Sequence, residues 1–255
     1  MLKVRLIPVL LLKGGRMVKP VQFGSGGERD VGWPITTARI YNSQDADELI
    51  FLDIEASQIG RNFLLDTLRE VARECFVPLT AGGGIRDLET IREMLAAGAD
   101  KVSVNSYAVE SPSFIEKAAD MFGSQCIVVS IDAKKRDDGT YEVFTNRGRS
   151  ASGLLVVEWA KRAAELGAGE LLITSIDREG TLEGYDLDLV SMVADSVVIP
   201  VIANGGAGTR QHFVDAVRKG HASAVAASSI FHFTDSNLTQ VKSFIYNAGI
   251  PIRSV

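Results

Sequence analysis

The sequence predicts a single closed (β/α)8 barrel of the TIM type, one domain spanning residues 1–255. Three observations predict it. Eight short apolar runs alternate with amphipathic stretches. Most runs are apolar at consecutive positions, the pattern of parallel strands buried on both faces. The second half of the chain repeats motifs of the first at a constant offset. Eight strand-then-helix units favour ring closure over an open sheet.

The strands are expected at Val4–Leu12, Leu49–Ile54, Val77–Ala81, Lys101–Asn105, Cys126–Asp132, Glu170–Ser175, Ile199–Asn204 and Ser223–Ser228. Helical faces are expected from Leu64, Leu65, Leu68, Val71 and Ala72, from Leu88, Ile91 and Leu95, and from Ala160, Ala163 and Leu166. Residues 13–36 read as a long glycine-rich loop with basic Arg16 and Lys19. Residues 134–149 read as a second long loop, with a small hairpin turning at Asp138-Gly139.

The internal repeat is specific. Glu48–Asp53 (ELIFLD) recurs as Glu170–Ser175 (ELLITS), 170 − 48 = 122 residues later. Val77-Pro78 through Gly84 recurs as Ile199-Pro200 through Gly206 at the same offset. Chance likeness of apolar strands would not keep Pro and Gly in register, so a duplicated half-barrel is expected.

Composition narrows the function classes. The chain has 255 residues, 46% hydrophobic and 23% charged, with a formal net charge of −5. A mildly acidic chain is a poor nucleic-acid surface. Cys75 and Cys126 read as reduced core residues, which suits a cytoplasmic protein. No leader and no membrane span are expected. No His or Cys cluster has metal-ligand spacing, and His212, His221 and His232 read as surface or packing residues. No cofactor is expected.

The chemistry is expected where the strands end. Gly82–Gly84 and Gly205-Gly206 each follow a strand and precede a helix. Glycine lets backbone N–H groups approach an anion closely. Asn105-Ser106 and Ser228-Ser229 follow the next strand in each half and complete two matching cradles. Their separation suits a ligand phosphorylated at both ends. Asp132 ends the fifth strand and is the candidate acid or base. The bland alternative is a structural carboxylate that pairs with Lys134 or caps the loop. Asp53, Thr174 and Asp177 are weaker candidates, and Lys19 is a candidate for contact with phosphate or substrate oxygen.

Together these residues resemble the HisF family, the cyclase subunit of imidazole glycerol phosphate synthase, over nearly the whole chain. The most specific stretches are residues 48–54, 82–85, 99–105, 122–125, 131–134, 167–172, 175–178 and 231–233. The resemblance implies a HisH-type glutaminase docked on the barrel floor, as a heterodimer. It implies ammonia passing through the barrel to a bis-phosphorylated ribulosyl-formimino aminoimidazole carboxamide ribonucleotide. It implies a gate formed by Arg5, Glu48, Lys101 and Glu170, with Asp100 facing the partner. It implies phosphate contacts at Gly84, Asn105 and Ser106 and at Gly180, Gly206 and Ser229, with Lys19, Asp132 and Thr174 in the active site.

Departures from the family pattern matter as much. The family has an aspartate at the end of the first strand, where this chain has Leu11. Leucine transfers no proton. Gly14 replaces a usual acidic residue, and Glu179 and Asn204 replace a usual Asp and Ser. The Leu10-Leu11-Leu12 ending is similar to that of a branch of the family found in surface-polysaccharide pathways. That likeness implies an alternative, an ammonia conduit feeding a separate amidine-forming amidotransferase.

Overall fold

The computed structural model describes residues 3–24, 26–56 and 65–253. Eight parallel strands form a closed ring: β1 (Arg5–Lys13), β4 (Leu49–Asp53), β5 (Leu79–Gly82), β6 (Lys101–Val104), β7 (Ile127–Lys135), β10 (Glu170–Ser175), β11 (Val201–Asn204) and β12 (Ala224–Ala227). Two pairings close it, β12 on β1 and β7 on β10. The predicted barrel is therefore present.

Alternation along each strand sorts the side chains. Leu6, Leu10 and Leu12 face outward into the layer shared with the helices. Ile7, Val9 and Leu11 point inward, where Ile50, Val128, Leu172, Ile202, Ala224 and Ala226 form a separate interior cluster. The outer layer is filled by helical faces such as Leu68 and Val71 of Leu65–Glu74 and Ile91 and Met94 of Leu88–Ala96. Trp159, Ala160 and Ala163 fill it from Val156–Glu165. Leu64, expected on the first of these faces, lies outside the described residues.

Strand ends differ from expectation by a few residues. β5 and β11 begin after their prolines, which cannot donate to a ladder. β7 runs on to Lys135 because its end pairs with β8 (Tyr141–Thr145), in the hairpin expected at Asp138-Gly139. β9 (Ser150–Leu155) extends that sheet. Cys126 falls in a short 3-10 turn before β7 rather than in the strand.

The expected loop 13–36 is mostly strand. β2 (Arg16–Pro20) turns back on β1 through Gly14-Gly15, both at positive φ, and pairs with β3 (Glu28–Gly32). The sequence hides this hairpin because β3 is polar and largely exposed, so no apolar alternation marks it. Its effect is to carry Lys19 over the end of the barrel, where the side chain is buried.

The two halves match in detail. Gly83-Gly84 and Gly205-Gly206 all adopt positive φ. A Cβ on Gly83 would collide with the carbonyl of Asp53, and one on Gly206 with the carbonyl of Gly184. Asn105 and Ser228 share an unusual backbone, φ −134° in both, and each introduces a one-turn helix.

Candidate functional site

Because Arg5, Ile7, Val9 and Leu11 face inward on one strand, the first lies in the floor of the barrel and the last in its mouth. The floor is a closed ring of four charges. Arg5 Nη1 donates to Glu48 at 2.7 Å and to Glu170 at 2.9 Å. Lys101 Nζ donates to the same oxygens at 2.9 and 3.1 Å. Burial lowers the Arg5 pKa, but Glu48 and Glu170 outweigh it and the net shift is upward. Glu48 Oε2 is buried without a hydrogen-bond partner. Asp100 is exposed on the same face and accepts from the Leu79 N–H at 2.8 Å.

At the mouth lies a cavity of about 140 Å³. Leu11, Leu52, Ile54, Val104 and Tyr107 give it apolar walls. Gly83, Gly84, Asn105, Ser106, Asp132, Thr174 and Asn204 supply its polar groups. Asp132 is buried and accepts from Asn105 Nδ2 at 2.8 Å. Burial raises its pKa to about 7; the Asn105 hydrogen bond opposes that rise and the Glu179 charge adds to it. Lys134 is not the partner of Asp132: it is exposed, with its Nζ 6.0 Å from the Phe144 ring.

A second recess is walled by Lys19, Glu179, Asn204, Gly205, Gly206, Ser228 and Ser229. It is small, about 10 Å³, room for roughly one water. Lys19 and Glu179 fill it with a buried ion pair. Ser229 Oγ is buried there without a partner. Asn204 and Glu179 line both cavities and form the wall between them.

The remaining candidates separate. Thr174 accepts from Asn204 Nδ2 at 3.0 Å inside the mouth. Asp53 lines the cavity, but its Oδ1 also caps the N–H groups of Glu55 and Ala56. Gly180 lines neither cavity; its lack of a Cβ lets the chain pass close against Pro20 and Val21. Asp177 accepts from the Lys135 N–H, a turn contact. His212 completes a helix capping box. His232 stands closer to the site than sequence reasoning put it: burial and then the Lys19 charge lower its pKa to about 4, and its ring meets the Tyr41 hydroxyl at 3.3 Å. Arg86 and Arg147 also line the mouth, and no motif marked them. Among the described residues no group of His, Cys, Asp or Glu is placed to hold a metal, and no helix is long and apolar enough to cross a membrane.

A duplicated parallel barrel, with two glycine cradles at one end and a ring of four charges at the other, defines a class of symmetric (β/α)8 proteins. The comparisons identify its kind. A family described as Histidine biosynthesis protein matches residues 5–237. Imidazole glycerol phosphate synthase subunit HisF from Caulobacter vibrioides, in strains NA1000 / CB15N and ATCC 19089 / CIP 103742 / CB 15, is 52% identical over 254 residues, covering 99% of this chain and 97% of that protein. The chain belongs to this family and, within it, to the HisF group.

Proposed function

We propose that this chain is the synthase subunit of a glutamine amidotransferase of the imidazole glycerol phosphate synthase type, taking ammonia from a HisH-type glutaminase. One observation carries the reading: a four-charge ring lies directly below an apolar barrel interior that opens on a polar mouth. Ammonia is small and neutral, and an apolar interior admits it while ammonium pays the cost of losing its hydration. Glu48 Oε2, buried and unpaired, is an acceptor for an arriving N–H. Asp100, exposed beside the ring, is a contact for the partner.

At the mouth the ligand is a bis-phosphorylated ribulosyl-formimino aminoimidazole carboxamide ribonucleotide, and the products are imidazole glycerol phosphate and the aminoimidazole carboxamide ribonucleotide. Gly84, Asn105 and Ser106 hold one phosphate. Gly206 and Ser229, with Lys19 once it releases Glu179, hold the other. Thr174 orients the ligand, and Asp132, titrating near neutrality, moves protons during ring closure.

Leu11 favours a second reading. With leucine rather than an acid at position 11, the chain serves as a docking module and conduit that feeds ammonia to a separate amidine-forming enzyme of surface-polysaccharide synthesis.

The shared claim is ammonia passage, and Arg5→Ala tests it. In complex with a HisH-type glutaminase, the variant should lose coupling between glutamine hydrolysis and ammonia delivery. Product formed from added ammonium, or free ammonia released to solvent, reads the uncoupling. If the chain binds no such glutaminase, both readings fall.

A further inference from the structure

Arg147 is held over the mouth by an uncommon backbone. Asn146, Arg147 and Gly148 adopt φ of 53°, 56° and 69°, three successive residues in the left-handed region. Gly148 is at ease there, and a Cβ on it would press on Ile176 and Phe23. Arginine is not, because its Cβ crowds the backbone carbonyl in this conformation. A strained residue that persists at a cavity wall points to a use for its side chain.

The side chain is mostly buried, 11% exposed, and lines the larger cavity beside Gly83, Gly84, Asn105 and Ser106. The turn is tied to that cradle, since the Asn146 N–H donates to Ser106 Oγ at 3.1 Å. The cradle itself offers neutral donors only. A phosphate dianion placed beside Asp132 needs a cation. Among the described residues of this cavity wall, the cations are Arg86 and Arg147. Arg86 is half exposed, over Tyr107 and near Glu110, so solvent screens it.

Arg147 is also available. Its partner, Glu28, lies 3.5 Å away, at the limit of a hydrogen bond. Glu28 keeps a closer partner in Lys13 at 2.8 Å, so releasing Arg147 leaves no orphaned charge.

We propose that Arg147 is the charged anchor for a phosphomonoester in the first cradle, exchanging its loose contact with Glu28 for a forked pair with the phosphate oxygens. This deepens the phosphate-site reading above and rests on it.

Arg147→Gly is the informative variant, because glycine accepts the left-handed backbone and removes only the side chain. Its melting temperature should equal or exceed that of the parent. Titration calorimetry with inorganic phosphate and with glycerol phosphate should show at least about tenfold weaker binding. Arg147→Lys should recover part of the loss. Arg149→Gly, which removes an exposed neighbouring charge, should bind within about twofold of the parent. Unchanged binding by Arg147→Gly, or an equal loss in Arg149→Gly, overturns the proposal while leaving the cradle intact. Failure of the parent chain to bind phosphate at millimolar concentration overturns the cradle and the proposal together.

Discussion

Leu11 and Asp132 hold equivalent registers in the two halves of the barrel: Leu11 lies beside Leu52 on β4, and Asp132 lies beside Thr174 on β10. Both side chains wall the same cavity. The symmetry that would supply two facing carboxylates supplies one carboxylate and one leucine. A positioned acid or base contributes roughly 10²–10⁴ to rate. Wild-type protein is expected to show weak ammonium-driven cyclisation of the bis-phosphate substrate, and Leu11→Asp is expected to raise it by roughly 10²-fold or more. The variant should melt lower than the parent, because it places a carboxylate among Leu52 and Ile54. Full turnover by the unaltered chain would show that Asp132 alone suffices.

Asp132 also sets a pH dependence. Its native pKa, about 7, lies above the usual carboxylate value, chiefly through burial. The native state therefore holds this proton more tightly than the unfolded chain does. Between about pH 4 and 7 the native state binds more protons, so stability falls as pH rises through that window and the loss is complete above it. Asp132→Asn carries no such charge and keeps a carbonyl for Asn105. It should gain a few kcal/mol relative to the parent between pH 4 and 8. Thermal melts at both ends of that range check it. Equal differences at the two pH values would place the native pKa near its ordinary value.

How much of this was legible in the sequence depends on how locally it is encoded. The eight strands were, because each is a short apolar run whose register needs no distant information. The four residues of the charge ring were legible only through the family resemblance, but their level on the floor follows from position, because Arg5, Glu48, Lys101 and Glu170 each sit at or next to a strand start. The hairpin of β2 and β3 was not, because polar residues on an exposed edge carry no periodic signal. Nor was the pair of Lys19 with Glu179, which joins residues 160 positions apart and exists only because the hairpin folds over the mouth. Gly180 illustrates the converse. Only the family resemblance pointed to it as a phosphate contact; the structure sets it against Val21, outside the walls of the two cavities described above.

The Lys19–Glu179 pair yields a prediction with two independent readouts. Both side chains are buried, at 3% and 9% exposure. Glu179→Gln leaves an uncompensated ammonium beneath the hairpin, and breaking one partner of such a pair typically costs about 3–5 kcal/mol. Lower melting temperature and faster proteolysis within residues 13–36 should follow. A purely structural role would stop there. Glu179, however, also raises the Asp132 pKa by its charge. Its removal should therefore move the Asp132 titration to lower pH, read by carboxylate NMR or by the acid limb of turnover. The double change of Lys19 and Glu179 to methionine separates the two effects. It removes both charges together, so much of the stability should return, while the lowered Asp132 titration remains. A titration that stays near pH 7 in Glu179→Gln would mean that burial alone sets it.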